Sequence, residues 1–280
     1  MSVTRRTFLG TAAAAASTMS VATAQSKTIP IGLELFSVRS ALAADPTGTV
    51  KKVAGMGYQV VEFFSPYYSW TLDQAKDMKK LLDDLGIKCH STHNGTNSFQ
   101  AANLQKTIDL NHAIGGTFVV LASSIRSTNP DDWKKLAVDT LGPALETLRA
   151  AGLRGGYHNH QYEFVSTNGG PRPMEVLAAN TPKDFMLQFD VGTAVEMGSD
   201  PVAWINANPG RINSLHLKDW NKERGYKVLF GEGAVPWKAV LTAAEKTGGA
   251  EYLLIEQEGS DYSEFETAQR CLDTYKKMIA

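Results

Sequence analysis

Histidines and carboxylates recur in this chain at one kind of place, the ends of short apolar runs. Glu34 closes the first run, Glu62 the second, and His90 and His93 the third. The fifth ends in His158, His160 and Glu163, the sixth in Asp190, the seventh in His216 with Lys218 and Asp219, and the eighth in Glu256 and Glu258. Of the six histidines, only His112 falls elsewhere. The fourth run, ending Leu121-Ala122-Ser123-Ser124, offers hydroxyls alone. Carboxylates and imidazoles brought together can hold one hard or borderline divalent ion. A mixed nitrogen and oxygen set without thiolates suits Mn, Mg, Co or Zn and does not select sharply among them. Taken singly, each residue reads equally well as a hydrogen-bonded group on a pocket rim. Asp190 and His216 stand out, because each ends an otherwise apolar run, where a buried charge needs a partner.

The runs themselves are Ile31–Phe36, Gln59–Phe64, Ile87–Thr92, Thr117–Ala122, Leu153–His158, Phe185–Asp190, Ile212–Leu217 and Tyr252–Gln257. Each has the length of a strand and the Val, Ile, Leu and Phe content of strands buried on both faces. Between them lie segments of helical period. In Thr71–Leu85, residues Leu72, Ala75, Met78, Leu81, Leu82 and Leu85 share one face. A second helix is predicted from Pro130 to about Ala151, with acidic residues in its first turn. Gly86 and Gly152 sit where helices stop, and Asp200-Pro201 supplies an N-cap and an N1 proline. Eight strand–helix units match the arithmetic of a single-domain α/β (β/α)8 barrel over residues 28–280. An open doubly wound sheet is the rival, opposed by the regular repeat and by the lack of a Gly-rich phosphate loop.

The formal charge of −1 excludes the basic footprint of a nucleic-acid binder. No apolar run in the body of the chain approaches a membrane span. Cys89 and Cys271 show no ligand-type spacing and read as small apolar residues. Residues 1–24 read as a removable export signal. Thr4-Arg5-Arg6-Thr7-Phe8-Leu9 is a twin-arginine pattern, an Ala-rich stretch follows, and Ala22-Thr23-Ala24 fits a signal-peptidase site. A periplasmic protein, free of the membrane after cleavage, is the expectation.

Taken in order, several pieces of the chain resemble the sugar phosphate isomerase/epimerase superfamily, the xylose isomerase-like TIM barrels that also include endonuclease IV. They are Gly32-Leu33-Glu34-Leu35-Phe36-Ser37-Val38-Arg39, Val61-Glu62-Phe63, Tyr157-His158-Asn159-His160-Gln161-Tyr162-Glu163-Phe164, Phe189-Asp190-Val191-Gly192, Leu215-His216-Leu217-Lys218-Asp219, Gly231-Glu232-Gly233 with Pro236-Trp237, and Ile255-Glu256-Gln257. The resemblance implies a metal held by Glu, Asp, His and Glu from the fifth to eighth strands. Asp190, His216 and Glu256 carry over directly. At the fifth strand His158 stands where many members have glutamate. Glu163, five residues later, is expected to supply that ligand, with His158 or His160 as substitutes.

The same resemblance implies an isomerase or epimerase that moves a proton beside a carbonyl through an enediolate. Glu163 and Glu256 would act as base and acid, with His158 as a further catalytic group. Glu34, Glu62, His93, His160, Lys218 and Trp220 are the substrate-binding candidates. Lys218 either anchors an anionic group or pairs with Asp219. Trp220, Phe36 and Tyr67 either stack on a sugar ring or pack. Export and the absence of an Arg cluster in the last loops favour free sugars, keto-sugars, inositols or glycosides over sugar phosphates. A lyase or dehydratase acting on keto-sugars, keto-inositols or 3-keto-glycosides is the alternative, and a non-catalytic sugar-binding protein is a further one. The segment Trp220–Val235 is long enough to cap the pocket or to reach a second subunit in a homo-oligomer.

Overall fold

All eight apolar runs form strands in a computed structural model of the chain, which describes residues 29–280. They are β1 (Ile31–Glu34), β2 (Val60–Phe63), β3 (Lys88–Gly95), β4 (Phe118–Ser123), β5 (Arg154–His158), β6 (Met186–Asp190), β7 (Ser214–Leu217) and β8 (Tyr252–Ile255). The strands pair in parallel in sequence order and close on themselves, β1 lying between β2 and β8. The expected export signal, residues 1–24, lies outside the described residues.

Side chains alternate between the two faces of a strand, and in a closed barrel the inward ones stack in layers. Val60, Phe118, Val120, Met186, Tyr252 and Leu254 form a buried apolar cluster inside the barrel. Two residues further along their strands come Glu62, Ala122, Gln188 and Glu256. By the same count Gly32 leads to Glu34, Ser91 to His93, Gly156 to His158 and Ser214 to His216. A polar layer therefore rests on an apolar plug, at the C-terminal mouth. Gly32 makes the plug possible: a Cβ there would lie 2.5 Å from the Val60 carbonyl oxygen and 2.8 Å from Leu254 Cδ2. The outward residues pack beneath the helices in a much larger apolar core.

The helices that cover this barrel follow the sequence with two exceptions. Thr71 and Gln74 form a capping box at the head of Leu72–Asp84, which buries Ala75, Met78 and Leu82. Leu72, at the first helical position, is instead exposed. The helix expected from Pro130 to Ala151 is three pieces, because Leu136–Leu141 widens into a π turn. Pro143 has no N–H to give an i−4 carbonyl, and the Gly142 N–H reaches back to the Ala137 carbonyl. Gly86 and Gly152 take positive φ at their helix ends, and Asp200 caps the helix opened by Pro201. No helix among the described residues is long and apolar enough to cross a membrane.

Candidate active site

The polar layer opens into a cavity of about 480 Å³ at the barrel mouth. Glu34, Phe36, Phe64, Ser65, His93, Asn94, Gly95, Ala122, His158, His160, Glu256 and Glu258 line it. Just beneath lies Glu62, fully buried and used at both oxygens. Its Oε1 accepts from Ser91 and from Gln188 Nε2 at 2.8 Å; its Oε2 lies 2.8 Å from His216 Nε2 and 3.0 Å from His93 Nε2. Burial alone would raise the Glu62 pKa, but the His93 and His216 rings hold it well below the usual carboxylate range. Glu62 is thus the brace of the site rather than a group free to meet substrate.

His216 is bracketed by carboxylates, with Nδ1 2.6 Å from Glu256 Oε2 and Nε2 on Glu62. Burial opposes its protonation, yet Glu256 and Glu62 raise its pKa to about 10. Glu256 is also buried; against that burial, Lys218 and His216 hold it well below the ordinary value. Lys218 lies 3.5 Å from Glu256 Oε1 and 3.6 Å from Asp190 Oδ2, and bonds Glu258. It does not pair with Asp219, its sequence neighbour. Asp219 points the other way and accepts the backbone N–H groups of Trp220, Gly231, Gly233 and Val235 and the Trp237 indole N–H. The segment Trp220–Val235, long enough to cap the pocket or to reach a second subunit, is fastened there. Trp220, at its start, is not among the lining residues of the cavity.

His158, Asp190 and Glu256 each offer a ligand atom within 4.8 Å of one another, as do His93, His158 and His216. Two buried atoms in this group, His158 Nδ1 and Asp190 Oδ2, have no hydrogen-bond partner among the described residues. Burial raises Asp190 to about 6, with Lys218 opposing, and burial holds His158 well below the ordinary imidazole value. A neutral imidazole and idle carboxylate oxygens are what a divalent ion needs. The residues present therefore fit a metal held by His158, Asp190 and Glu256, which His216 would join on giving up the proton that Glu256 and Glu62 hold on it, with Glu62 orienting its ring. Asn159 fixes Asp190 by taking its backbone N–H at 3.0 Å and donating to its carbonyl at 3.1 Å. The third cluster joins Glu34, Glu62 and His93, from β1 to β3, to His216 of β7 across the barrel.

Glu163, the ligand expected from the fifth strand, belongs to none of these groups. It sits on the 3-10 turn Tyr162–Phe164, where its carboxylate accepts the Tyr157 hydroxyl and, at 2.9 Å, the His160 backbone N–H. The turn folds the side chain back under its own strand, and His158 takes the place beside Asp190. Tyr67 is likewise packing rather than platform, its hydroxyl tied to Asn94, Thr92 and Asn111. Gln188, Ser91 and Asn159 had not been singled out. Gln188 and Ser91 were accessible by counting two residues along their strands from Asp190 and His93; nothing in the sequence marks Asn159.

Burial raises Glu163 to about 7. An acid whose folded value exceeds its unfolded one stabilises the fold below the unfolded value and loses that contribution as pH rises through the folded value. Between about 4.5 and about 7 the ionisation of Glu163 should cost on the order of 3 kcal/mol. Glu163→Gln is expected to flatten that part of the stability profile, read by urea unfolding at pH about 5 and about 8. Equal pH slopes in the two proteins would refute it.

The geometry agrees with the comparisons to known proteins. A family model described as the xylose isomerase-like TIM barrel matches residues 50–277. An inosose dehydratase of Clostridium beijerinckii is 26% identical over 148 residues, 46% of this chain and 48% of that relative. The match thus spans about half the length of the relative. Among solved structures, a sugar phosphate isomerase/epimerase of Parabacteroides distasonis superposes with TM-score 0.75 at 25% identity, covering 91% of this chain and 96% of that one. The IOLI protein with a binding zinc atom shares the fold at TM-score 0.69 and 17% identity, covering 89% and 98% of the two chains. An eight-stranded parallel barrel with a convergent His and carboxylate layer at its C-terminal mouth thus has its kin, and the chain belongs to the xylose isomerase-like TIM-barrel family.

Proposed function

We propose that the protein is a metal-dependent lyase that removes a β-substituent from a keto-sugar or keto-cyclitol. The carrying observation is a pair of idle groups on opposite sides of the cavity. Glu34 Oε2 and His160 Nδ1 are both buried and lack hydrogen-bond partners among the described residues. They belong to β1 and to the turn after β5, strands that stand opposite in a closed barrel of eight. Burial, then the nearby Glu62 and Glu256, raise Glu34 well above the usual carboxylate range, so it holds a proton. Burial lowers His160 to about 4, so its ring is neutral and open to one. One group can take a proton from carbon while the other delivers one across the substrate.

Bound at His158, Asp190, His216 and Glu256, a divalent ion (Mn, Mg, Co or Zn) would supply the Lewis acidity that makes the carbon beside the carbonyl acidic. His160 then removes that proton, the electron pair becomes a C=C bond, and the C–O bond to the leaving group breaks. The departing oxygen takes the proton of Glu34. Glu34 Oε1 is held by the Phe36 backbone N–H at 3.3 Å, and His93, bonded to Gln188, lies 4.0 Å from the same oxygen. The likeness to an inosose dehydratase favours elimination and a keto-cyclitol. The likeness to a sugar phosphate isomerase/epimerase favours a second reading, in which the same pair returns the proton to carbon. We further propose that residues 1–24 direct the protein to the periplasm.

The two readings part in heavy water. With keto-inositol or a 3-keto-glucoside and each metal in turn, elimination gives a conjugated ketone, seen by absorbance and NMR. Deuterium entering the recovered substrate or its epimer, without loss of a substituent, would overturn the lyase reading in favour of the epimerase. Binding without either reaction would leave a sugar-binding protein.

A further inference from the structure

The cavity has two chemically different walls. Its floor carries Glu34, His158, His160 and Glu256. The outer wall beside β1 and β2 carries Phe36 and Phe64, both half-buried, set edge to face with ring centroids 5.2 Å apart at 85°. Phe36 follows Glu34 by two residues and Phe64 follows Glu62 by two. Both rings line the cavity beyond the strand ends, Phe36 on the 3-10 turn Leu35–Val38 that follows β1 and Phe64 just past the end of β2. Asn94 on this side is spent, bonding the Thr92 carbonyl and the Tyr67 hydroxyl. Ser65 is left as the one side-chain hydroxyl among the cavity-lining residues.

A bare polyol would press its hydroxyls against this wall with little to bond, which is costly. The cavity volume of about 480 Å³ also falls in the ~300–1,000 Å³ range of drug-sized ligands, more than one pyranose or cyclitol ring fills. Resting on the elimination reading, a further constraint applies. The leaving oxygen must lie at Glu34, so whatever it carries extends toward Phe36 and Phe64. We infer that the expelled group is flat and apolar: the substrate is a keto-glycoside, and its aromatic aglycone lies against Phe36 and Phe64. The bonds balance without a co-reactant. A proton passes from the carbon beside the ketone to His160, a C=C bond forms, the glycosidic C–O bond breaks, and the Glu34 proton completes a free phenol. An unsaturated keto-sugar is the other product.

Calorimetric titration of the metal-loaded protein with phenyl β-glucoside and methyl β-glucoside tests this, since neither carries the ketone and neither turns over. Phenyl is expected to bind about tenfold or more tightly, the gain of burying a ring beside the edge-to-face Phe36–Phe64 pair. In the Phe36→Ala, Phe64→Ala double variant the ratio of the two affinities should fall toward one. A ratio near one in the wild type, an unaltered ratio in the variant, or binding of neither glucoside overturns the aglycone site. Turnover of keto-inositol on the same preparation reads the elimination separately. If it persists without a phenyl preference, only the aglycone site fails; if it is absent too, the lyase reading falls with it.

Discussion

With asparagine in place of Asp190, divalent metal should bind roughly a hundredfold more weakly, the upper range for losing even an outer partner of a metal ligand. Turnover should fall on the order of 10³-fold, the rate equivalent of several kcal/mol of lost Lewis-acid stabilisation. Asparagine keeps the shape and the Oδ1 that accepts the Thr193 backbone N–H at 3.1 Å. It exchanges Oδ2, which lacks a hydrogen bond but lies 3.6 Å from the Lys218 ammonium, for an NH₂ that cannot ligate. The fold is therefore retained, and the loss reports on the metal. Thermal unfolding provides the readout. At a hundred times the dissociation constant, a ligand adds about 2.7 kcal/mol, or roughly 5–10 °C for a domain of this size. The same metal concentration should shift the variant by no more than a degree or two, since a hundredfold weaker site is only half filled. A full metal-induced shift in Asp190→Asn would remove Asp190 from the ligand set.

The barrel was legible because its signal is redundant. Eight strands repeat the same apolar length, and a strand buried on both faces needs little more than Val, Ile, Leu and Phe to declare itself. The residues at the strand ends were legible for the same reason, since a parallel barrel exposes only that end to chemistry. What failed was orientation. Lys218 and Asp219 are adjacent, so along an extended path they point to opposite sides; of the two readings open for Lys218, the pairing with Asp219 ignored that alternation. The count that carries Ser214 to His216 carries on to Lys218, which meets Asp190, Glu256 and Glu258 instead. Glu163 failed differently. Five residues of spacing allow a carboxylate to reach a metal beside His158, but the 3-10 turn returns it to the His160 backbone N–H. A turn of that kind has no periodic signature, whereas the extended path of a strand does. The π turn before Pro143 belongs with the legible failures, because a proline without its N–H inside a helix forces some such adjustment.

Glu34 separates acid catalysis from mere binding most sharply. Glu34→Gln should lower turnover by about 10²–10⁴-fold, the usual contribution of a positioned general acid. Glutamine fits the same space and can still accept the Phe36 backbone N–H, which Glu34 Oε1 accepts at 3.3 Å. It has no proton to give. The defect should therefore depend on the leaving group. A simple alcohol, which departs badly as an alkoxide, should suffer the whole loss, while nitrophenolate, which departs without help, should suffer little. The pH profile gives a second readout. Because burial and the neighbouring Glu62 raise the Glu34 pKa well above its ordinary value, the wild type stays in its active, protonated form toward neutral pH. Its activity should fall as pH climbs through that raised value, and Glu34→Gln should lack this alkaline limb. A variant with a higher KM, an equal defect for every leaving group and an unchanged pH profile would make Glu34 a binding residue. The proton for the departing oxygen would then come from another group on the cavity wall, such as His93, 4.0 Å from Glu34 Oε1.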